Sequence, residues 1–87
     1  MTKEVLMMVM AGCPHCVRAC EMIAELCAAY PEYAKIPVKI VDETVERTFA
    51  ESLDYYYVPT LFVDGEKLHE GRPTLEAIEE VFKVALG

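Results

Sequence analysis

The sequence predicts an α/β fold in which a four-stranded mixed sheet carries helices on both faces. A strand, a helix and a second strand follow one another over residues 5–41 with the spacing of a parallel βαβ unit. The dipeptide Asp64-Gly65, a preferred two-residue hairpin turn, then separates two further strand-like segments. Together these observations predict the element order β-α-β-α-β-β-α.

The first strand is a continuously apolar run, Val5–Met10, followed by Gly12. A short unbroken run of this kind is typical of a strand that is buried on both faces. Pro14 suits the first turn of a helix, because its missing N–H needs no partner there. We expect this helix to end at about Ala29 and to face the core with positions 16, 20, 23, 27 and 30.

The second strand is predicted over residues 38–41, after a loop through Pro31 and Pro37, because this segment alternates and is β-branched. A short amphipathic helix is predicted over residues 44–54 from apolar positions at i, i+4 and i+8. These apolar positions are Val45, Phe49 and Leu53. Asp42 and Glu43, which lie between the two elements, are expected to belong to a solvated loop.

The hairpin strands are predicted over residues 60–63 and 66–69, and His69 is expected to be exposed on an edge strand. A final helix is predicted over about 73–86, with either Arg72 or Thr74 as its cap. Its apolar positions are Leu75, Ile78, Phe82 and Ala85.

Length and composition limit the classes of protein. The 87 residues form a single predicted domain, 1–87, because two halves would be too small to hold separate cores. An apolar content of 54% excludes disorder, and a net charge of −7 argues against nucleic-acid and anionic-membrane partners. The apolar run near the N-terminus is too short to cross a membrane. We therefore expect a cytoplasmic protein without structural disulfides.

The four cysteines, at positions 13, 16, 20 and 27, are clustered rather than spread along the chain as in a disulfide scaffold. Cys13-Pro14-His15-Cys16 lies where a strand turns into a helix. Because a helix N-terminus favours a thiolate, Cys13 is the predicted nucleophile, exposed at the helix end, and Cys16 is the predicted resolving thiol. His15 is expected to supply a hydrogen bond or a positive charge near Cys13.

Other interpretations of the cysteines stay open. In one, Cys13 and Cys16 are inert, half-buried thiols. In another they hold zinc or an iron–sulfur cluster with Cys20 or His15, but the sequence offers no evident fourth ligand, so we expect no metal. Cys20 and Cys27 are expected in the core. Cys20, four residues after Cys16, is alternatively a third redox thiol.

With this dithiol on this order of elements, and Val58-Pro59-Thr60 before the third strand, the chain resembles the glutaredoxin/thioredoxin superfamily. Cys-Pro-His-Cys-Val-Arg-Ala is similar to the glutaredoxin active-site turn and helix, whose usual motif has Tyr in place of His15. Gly71, after the hairpin, is a further shared feature. The resemblance covers nearly the whole chain. It implies a thioredoxin-like fold of the glutaredoxin type and a dithiol enzyme of electron transport and cell redox homeostasis.

The resemblance also implies a substrate site at Pro59. This proline should follow a cis peptide bond and hold its loop against the dithiol, so that the Val58 backbone pairs with an extended substrate. Tyr57 and Thr60 are expected to belong to the same groove. By contrast, Tyr56 continues the helical spacing of the preceding segment and is expected in the core.

Three departures from the family patterns bear on the electron donor. Residues 8–11 lack the basic residue that glutathione-using relatives commonly carry before the first cysteine, and Tyr57 stands where they have Thr. The first strand lacks the buried acid of thioredoxins. The Pro-His dipeptide is similar to that of strongly oxidising thiol oxidases, which implies a less reducing potential than that of thioredoxin. The implied glutathione contacts are Gly71 and Arg72.

The leading hypothesis is a thiol–disulfide oxidoreductase that forms a mixed disulfide through Cys13. It is expected to be a monomer with no bound cofactor, to act on a disulfide-containing protein or a low-molecular-weight thiol, and to draw electrons from glutathione or a flavin-dependent reductase. The alternatives are a metal or iron–sulfur cluster carrier using Cys13, and a redox-sensing module that docks partners at the Pro59 groove.

Overall fold

A four-stranded mixed sheet forms the centre of the structure, a computed structural model that describes residues 2–87. The elements in chain order are β1 (Val5–Val9), α1 (Pro14–Ala29), α2 (Pro31–Ala34), β2 (Val38–Asp42), α3 (Arg47–Glu51), β3 (Thr60–Val63), β4 (Glu66–Glu70) and α4 (Leu75–Leu86). The strand order across the sheet is β2-β1-β3-β4. β1 runs parallel to β2, and β3 runs antiparallel to both β1 and β4. The predicted α/β fold is confirmed, and a short helix, α2, occupies part of the predicted loop after α1.

β1 is a central strand that is buried on both faces, as its unbroken apolar run predicts. Val5 and Met7 are fully buried in one core cluster, and Met8 is fully buried in the other. Neighbouring side chains enter opposite clusters because successive residues of a strand point to opposite faces of the sheet. β1 therefore ends in a fixed position, which is where the chain turns into α1.

The larger core cluster lies between the sheet and the helices α1, α2 and α4. Phe82 of α4 is fully buried there and packs edge-on against Tyr33 of α2, with ring centroids 5.8 Å apart. The Tyr33 hydroxyl donates a hydrogen bond to Glu79 at 3.1 Å, so the phenol keeps a polar partner. Each large apolar side chain buried in this way stabilises the fold by about 1.5–3 kcal/mol.

The face of α1 that meets the core differs from the predicted stripe. The buried residues of α1 are Cys16, Ala19, Met22 and Leu26. Cys20, predicted in the core, is exposed, Cys27 is half-buried and packs against the larger cluster, and Tyr30 is 44% exposed. Both lines of residues are apolar at helical spacing. The core-facing side is centred on the large apolar side chains Met22 and Leu26, while Ile23 and Cys27 of the predicted stripe pack against the same cluster from its edge.

The predicted helix over residues 44–54 is also wrong in extent, since α3 has only five residues and none of them is buried. Asp42 and Thr44 form a tight turn in which the Asp42 carboxylate accepts the Thr44 backbone N–H at 2.8 Å. This turn delays the start of the helix to Arg47 and leaves Val45 76% exposed. Phe49 is 37% exposed, and Lys39 lies over its ring.

Because α3 ends early, the helical spacing that placed Tyr56 in the core does not hold. Tyr56 is 85% exposed, and the prediction for it is wrong. Tyr55 takes the interior position instead and packs against the smaller cluster of Met8, Val41 and Phe62. Its hydroxyl donates to Glu43 at 2.7 Å, and burial raises the pKa of this phenol.

The hairpin of β3 and β4 and the final helix follow the sequence prediction closely. Asp64 and Gly65 both have positive φ, 53° and 79°, which is the backbone of the predicted two-residue hairpin turn. Thr74, not Arg72, caps α4, because its hydroxyl accepts the Ala77 N–H at 3.1 Å. Among residues 2–87, no helix combines the length and the apolar character that crossing a membrane requires.

Candidate active site

The N-terminus of α1 places the two cysteines of the dithiol. Cys13 is the N-cap residue, and its Sγ accepts the backbone N–H of Cys16 at 3.3 Å. Pro14 begins the helix, where its missing N–H leaves no gap in the hydrogen bonding. The sulfur of Cys13 therefore lies at the positive end of the helix dipole, within hydrogen-bonding distance of the first turn. Both thiols are free.

Cys13 is not exposed as predicted but is 9% exposed. The loop that precedes β3 covers it, and the Cys13 thiol donates a long hydrogen bond to the Val58 carbonyl at 3.9 Å. This contact joins residues that are 45 positions apart. The sequence reveals the helix terminus but not how closely the second loop packs against it.

Cys16 lies one turn further along α1 and is 5% exposed, as predicted for the resolving thiol. Burial, and next the hydrogen bond with Cys13, raise the pKa of this thiol to about 12. A backbone hydrogen bond from Met10 lowers the pKa of Cys16 but does not offset the burial. The two thiols therefore differ in environment: one caps the helix and the other stays protonated inside it.

The loop facing Cys13 contains a cis peptide bond between Val58 and Pro59, as the resemblance implied. Pro59 is fully buried, and its carbonyl accepts the Gly71 N–H at 2.9 Å. Thr60, also fully buried, donates its hydroxyl to the Tyr57 carbonyl. These contacts hold the loop beside the dithiol.

Comparison with known proteins identifies the family. The sequence matches the family described as "Thioredoxin domain" over residues 1–83. The chain belongs to the thioredoxin-domain family. A solved structure described as "Structure of a malarial protein" is similar over 100% of both chains, with a TM-score of 0.74 and 18% identity, which shows a shared fold. No curated protein matches the sequence.

In this thioredoxin domain, one residue at the cis-proline loop had no signal in the sequence. Glu70, the last residue of β4, accepts the backbone N–H groups of Tyr56 and Tyr57 with one carboxylate oxygen, the latter at 2.9 Å. Its other oxygen accepts the Lys67 ammonium at 2.8 Å. These donors lower the pKa of Glu70 to about 2. From the sequence alone, an acidic residue at the end of an edge strand is expected to be solvated. The contacts of Glu70 arise only because the fold brings the cis-proline loop next to it.

Asp42, predicted in a solvated loop, ends β2 and is half-buried. Its carboxylate accepts the Thr44 hydroxyl at 2.6 Å. The Thr44 hydroxyl and N–H, and the Ala11 N–H in the turn before the dithiol, lower the pKa of Asp42. Residues 10–18 contain no acid, but the fold brings this carboxylate to the turn before Cys13 from a neighbouring strand.

The remaining predicted site residues of the thioredoxin domain lie at or near the protein surface. His15 and Arg72 are exposed, Tyr57 is 69% exposed, and Gly71 is half-buried with φ of +88°. A Cβ at Gly71 would meet the Tyr57 Cβ at 3.7 Å, so positive φ rather than crowding favours glycine there.

His69 is half-buried rather than exposed. Its Nε2 lies 3.1 Å from the carbonyl oxygens of both Gly71 and Arg72, so this nitrogen carries the proton and donates. His69 therefore supports the backbone between β4 and α4. Within residues 2–87, no group of three or more His, Cys, Asp or Glu side chains is placed to hold a metal ion.

Proposed function

We propose that the chain is a thiol–disulfide oxidoreductase in which Cys13 is the nucleophile and Cys16 the resolving thiol. The observation that carries the proposal is the position of Cys13 Sγ, which accepts the Cys16 N–H and lies 3.9 Å from the Val58 carbonyl. The same sulfur thus faces the helix terminus on one side and the substrate-facing loop on the other. A hydrogen bond from an N–H is stronger to a thiolate than to a neutral thiol.

The reaction proceeds in two displacements. The Cys13 thiolate attacks one sulfur of a substrate disulfide, forms the mixed disulfide and releases the other substrate sulfur as a thiolate. The Cys16 sulfur then attacks Cys13 Sγ, forms the Cys13–Cys16 disulfide and releases the second substrate sulfur, which takes up the Cys16 proton. The substrate disulfide is reduced to two thiols while the protein dithiol is oxidised.

Burial of Cys16 supports this division of labour. With a pKa raised to about 12, Cys16 does not compete with Cys13 for substrate at neutral pH. Because Cys16 is one helical turn from Cys13, it meets the mixed disulfide by a local movement. We propose an extended segment of a disulfide-containing protein as the substrate, paired with the Val58 backbone and lying beside Tyr57.

Two candidate electron donors would return the oxidised protein to the dithiol state. Similarity of the Cys-Pro-His-Cys helix to glutaredoxins supports glutathione, with Gly71 and the exposed Arg72 as its contacts. Tyr57 in place of the Thr of glutathione-using relatives instead supports a flavin-dependent reductase. Two coupled assays distinguish these donors: glutathione with its reductase, and thioredoxin reductase, each followed by NADPH consumption.

The test of the dithiol mechanism compares three serine variants on a disulfide-bonded peptide. C13S is expected to abolish turnover, and C16S is expected to accumulate a mixed disulfide that is seen as an added peptide mass in non-reducing mass spectrometry. C20S is the matched control, because Cys20 is an exposed thiol of the same helix and its loss is expected to leave the rate unchanged. Full dithiol-dependent activity in C13S would show that the mechanism is wrong.

A further inference from the structure

Within the loop that carries Val58, the segment Tyr56–Tyr57 is held through its backbone and not through its aromatic rings. Tyr56 and Tyr57 are 85% and 69% exposed, so their rings contribute little packing. Both of their backbone N–H groups instead donate to one oxygen of Glu70. Since neither residue belongs to a helix or strand, Glu70 supplies the partners that a regular element would otherwise provide.

Glu70 is itself fixed in place. It ends β4, and the neighbouring Gly71 N–H donates to the Pro59 carbonyl at 2.9 Å, so the strand end and the loop are joined at adjacent residues. Lys67 donates to its second oxygen at 2.8 Å, and the Glu70 side chain is only 19% exposed. A carboxylate held at one oxygen by an ammonium presents its other oxygen in a defined direction.

We propose that Glu70 is a positioning residue for peptide substrates: it fixes the Tyr56–Tyr57 backbone and thereby holds Val58 ready to pair with an extended segment beside Cys13. This inference rests on the proposed function. Loss of the Glu70 carboxylate should therefore weaken the reaction with peptide disulfides only. A peptide disulfide uses the Val58 backbone, whereas a small disulfide such as cystamine needs only the dithiol.

The Glu70 carboxylate stays ionised, and keeps its hydrogen bonds, across the physiological pH range. The hydrogen bond from Lys67, and those from the two backbone N–H groups, keep the pKa of Glu70 at about 2. At neutral pH the group is ionised, and hydrogen bonds to a charged acceptor are stronger than those to a neutral one.

The experiment mixes pre-reduced protein with an excess of a disulfide-bonded peptide or of cystamine. Dithiol oxidation is followed by acid quenching, thiol alkylation and mass spectrometry. For E70A we expect the half-saturating concentration of the peptide to rise about tenfold, or about 1.4 kcal/mol, with an unchanged limiting rate. The rate with cystamine is expected to match that of the unaltered protein.

Three further variants distinguish the loss of the hydrogen-bond acceptor from the loss of charge and from a nonspecific effect of mutating this strand. E70Q keeps one oxygen for the two N–H groups and is expected to restore most of the peptide affinity. K67Q removes the ion pair but leaves the acceptor, and is expected to change the half-saturating concentration less than twofold. E66A removes an exposed acid of the same strand and is expected to change nothing.

A spectroscopic measurement tests the contact itself. With ¹⁵N-tyrosine labelling, the five tyrosines give five amide signals, and E70A is expected to shift two of them upfield in the proton dimension. E66A is expected to shift none. Circular dichroism establishes whether E70A is folded. If it is not, Glu70→Thr, which also removes the carboxylate and is a residue that strands favour, provides the same comparison.

The possible results are distinguishable. Equal half-saturating concentrations for E70A and the unaltered protein, or an equal loss of rate on peptide and cystamine, would overturn the role of Glu70 and leave the dithiol mechanism intact. Failure of the unaltered protein to oxidise with either disulfide would overturn the proposed function, and the role of Glu70 with it.

Discussion

Two cysteines three residues apart acquire different chemistry from their positions on one helix. Cys13 caps the helix and accepts a backbone N–H through its sulfur, whereas Cys16 lies inside the first turn. Burial raises the pKa of Cys16 to about 12, so this thiol keeps its proton where an ordinary one, near 9.0, begins to lose it.

The burial and raised pKa of Cys16 predict that it reacts slowly with alkylating agents. At pH 9, alkylation of Cys16 by iodoacetamide is expected to be on the order of a hundredfold slower than alkylation of Cys20, because Cys16 is both protonated and covered. Tandem mass spectrometry of the digested protein measures both rates. In urea-unfolded protein the two rates should become equal, and equal rates in the folded protein would contradict the assigned burial.

At the residue scale, the sequence predicts what depends on neighbours in the chain. The positions of Cys13 and Cys16 on the helix follow from the strand before them and the helix after them. Tyr56 and Glu70 are not predicted, because their environments depend on contacts made only after folding: Glu70 meets backbone groups 13 and 14 residues away. Nothing in its own segment marks it as more than a strand-ending acid.

At the scale of elements, helix ends decide which residues face the core. α3 starts late because the turn at Asp42 and Thr44 uses the residues before it, and its early end displaces Tyr56 from the interior. Strands are easier to predict here, because the apolar run of β1 and the Asp64-Gly65 turn carry their structure locally. The core-facing side of α1 is harder to predict, because two sets of apolar residues at helical spacing lie on the same helix.

The cap of α4 gives a test at this scale. Thr74→Ala removes the hydroxyl that accepts the Ala77 N–H and is expected to lower the free energy of unfolding by about 1 kcal/mol. Thr74→Ser keeps an acceptor and should recover most of that loss. Arg72→Ala, at the other residue the sequence offers as a cap, is expected to be neutral. Urea denaturation monitored by circular dichroism measures all three, and a destabilised R72A with an unaffected T74A would reverse the assignment.

At the scale of the whole molecule, titration of buried groups sets the pH range of stability. Desolvation on folding, partial for the exposed Cys20, raises the pKa of three thiols and two phenols, which are Cys16, Cys20, Cys27, Tyr33 and Tyr55. These groups favour the folded state below their ordinary pKa values, near 9.0 for the thiols, and this contribution is lost as pH rises towards the folded values. The carboxyls of Asp42 and Glu70 behave in the opposite sense, since their pKa values are lowered.

We therefore expect the free energy of unfolding to be greatest between about pH 5 and 9. It should fall on the alkaline side because the unfolded chain loses protons first. It should fall on the acid side below about pH 4.5 because Glu70 takes up a proton in the unfolded chain while it stays ionised in the folded chain down to about pH 2. Urea unfolding under reducing conditions across this range measures both limbs. E70Q should flatten the acid limb, and an unchanged slope there would contradict the lowered pKa of Glu70.

The two faces of the sheet are covered unequally. In the described part of the chain, thirteen buried residues form the cluster under α1, α2 and α4, whereas three form the cluster on the side of α3. Cooperative unfolding is governed by the better packed side, and local opening begins where few apolar contacts must be broken. The exposed side chains of α3, none of whose residues is buried, are thus the part of this face where changes of composition should affect the dithiol least.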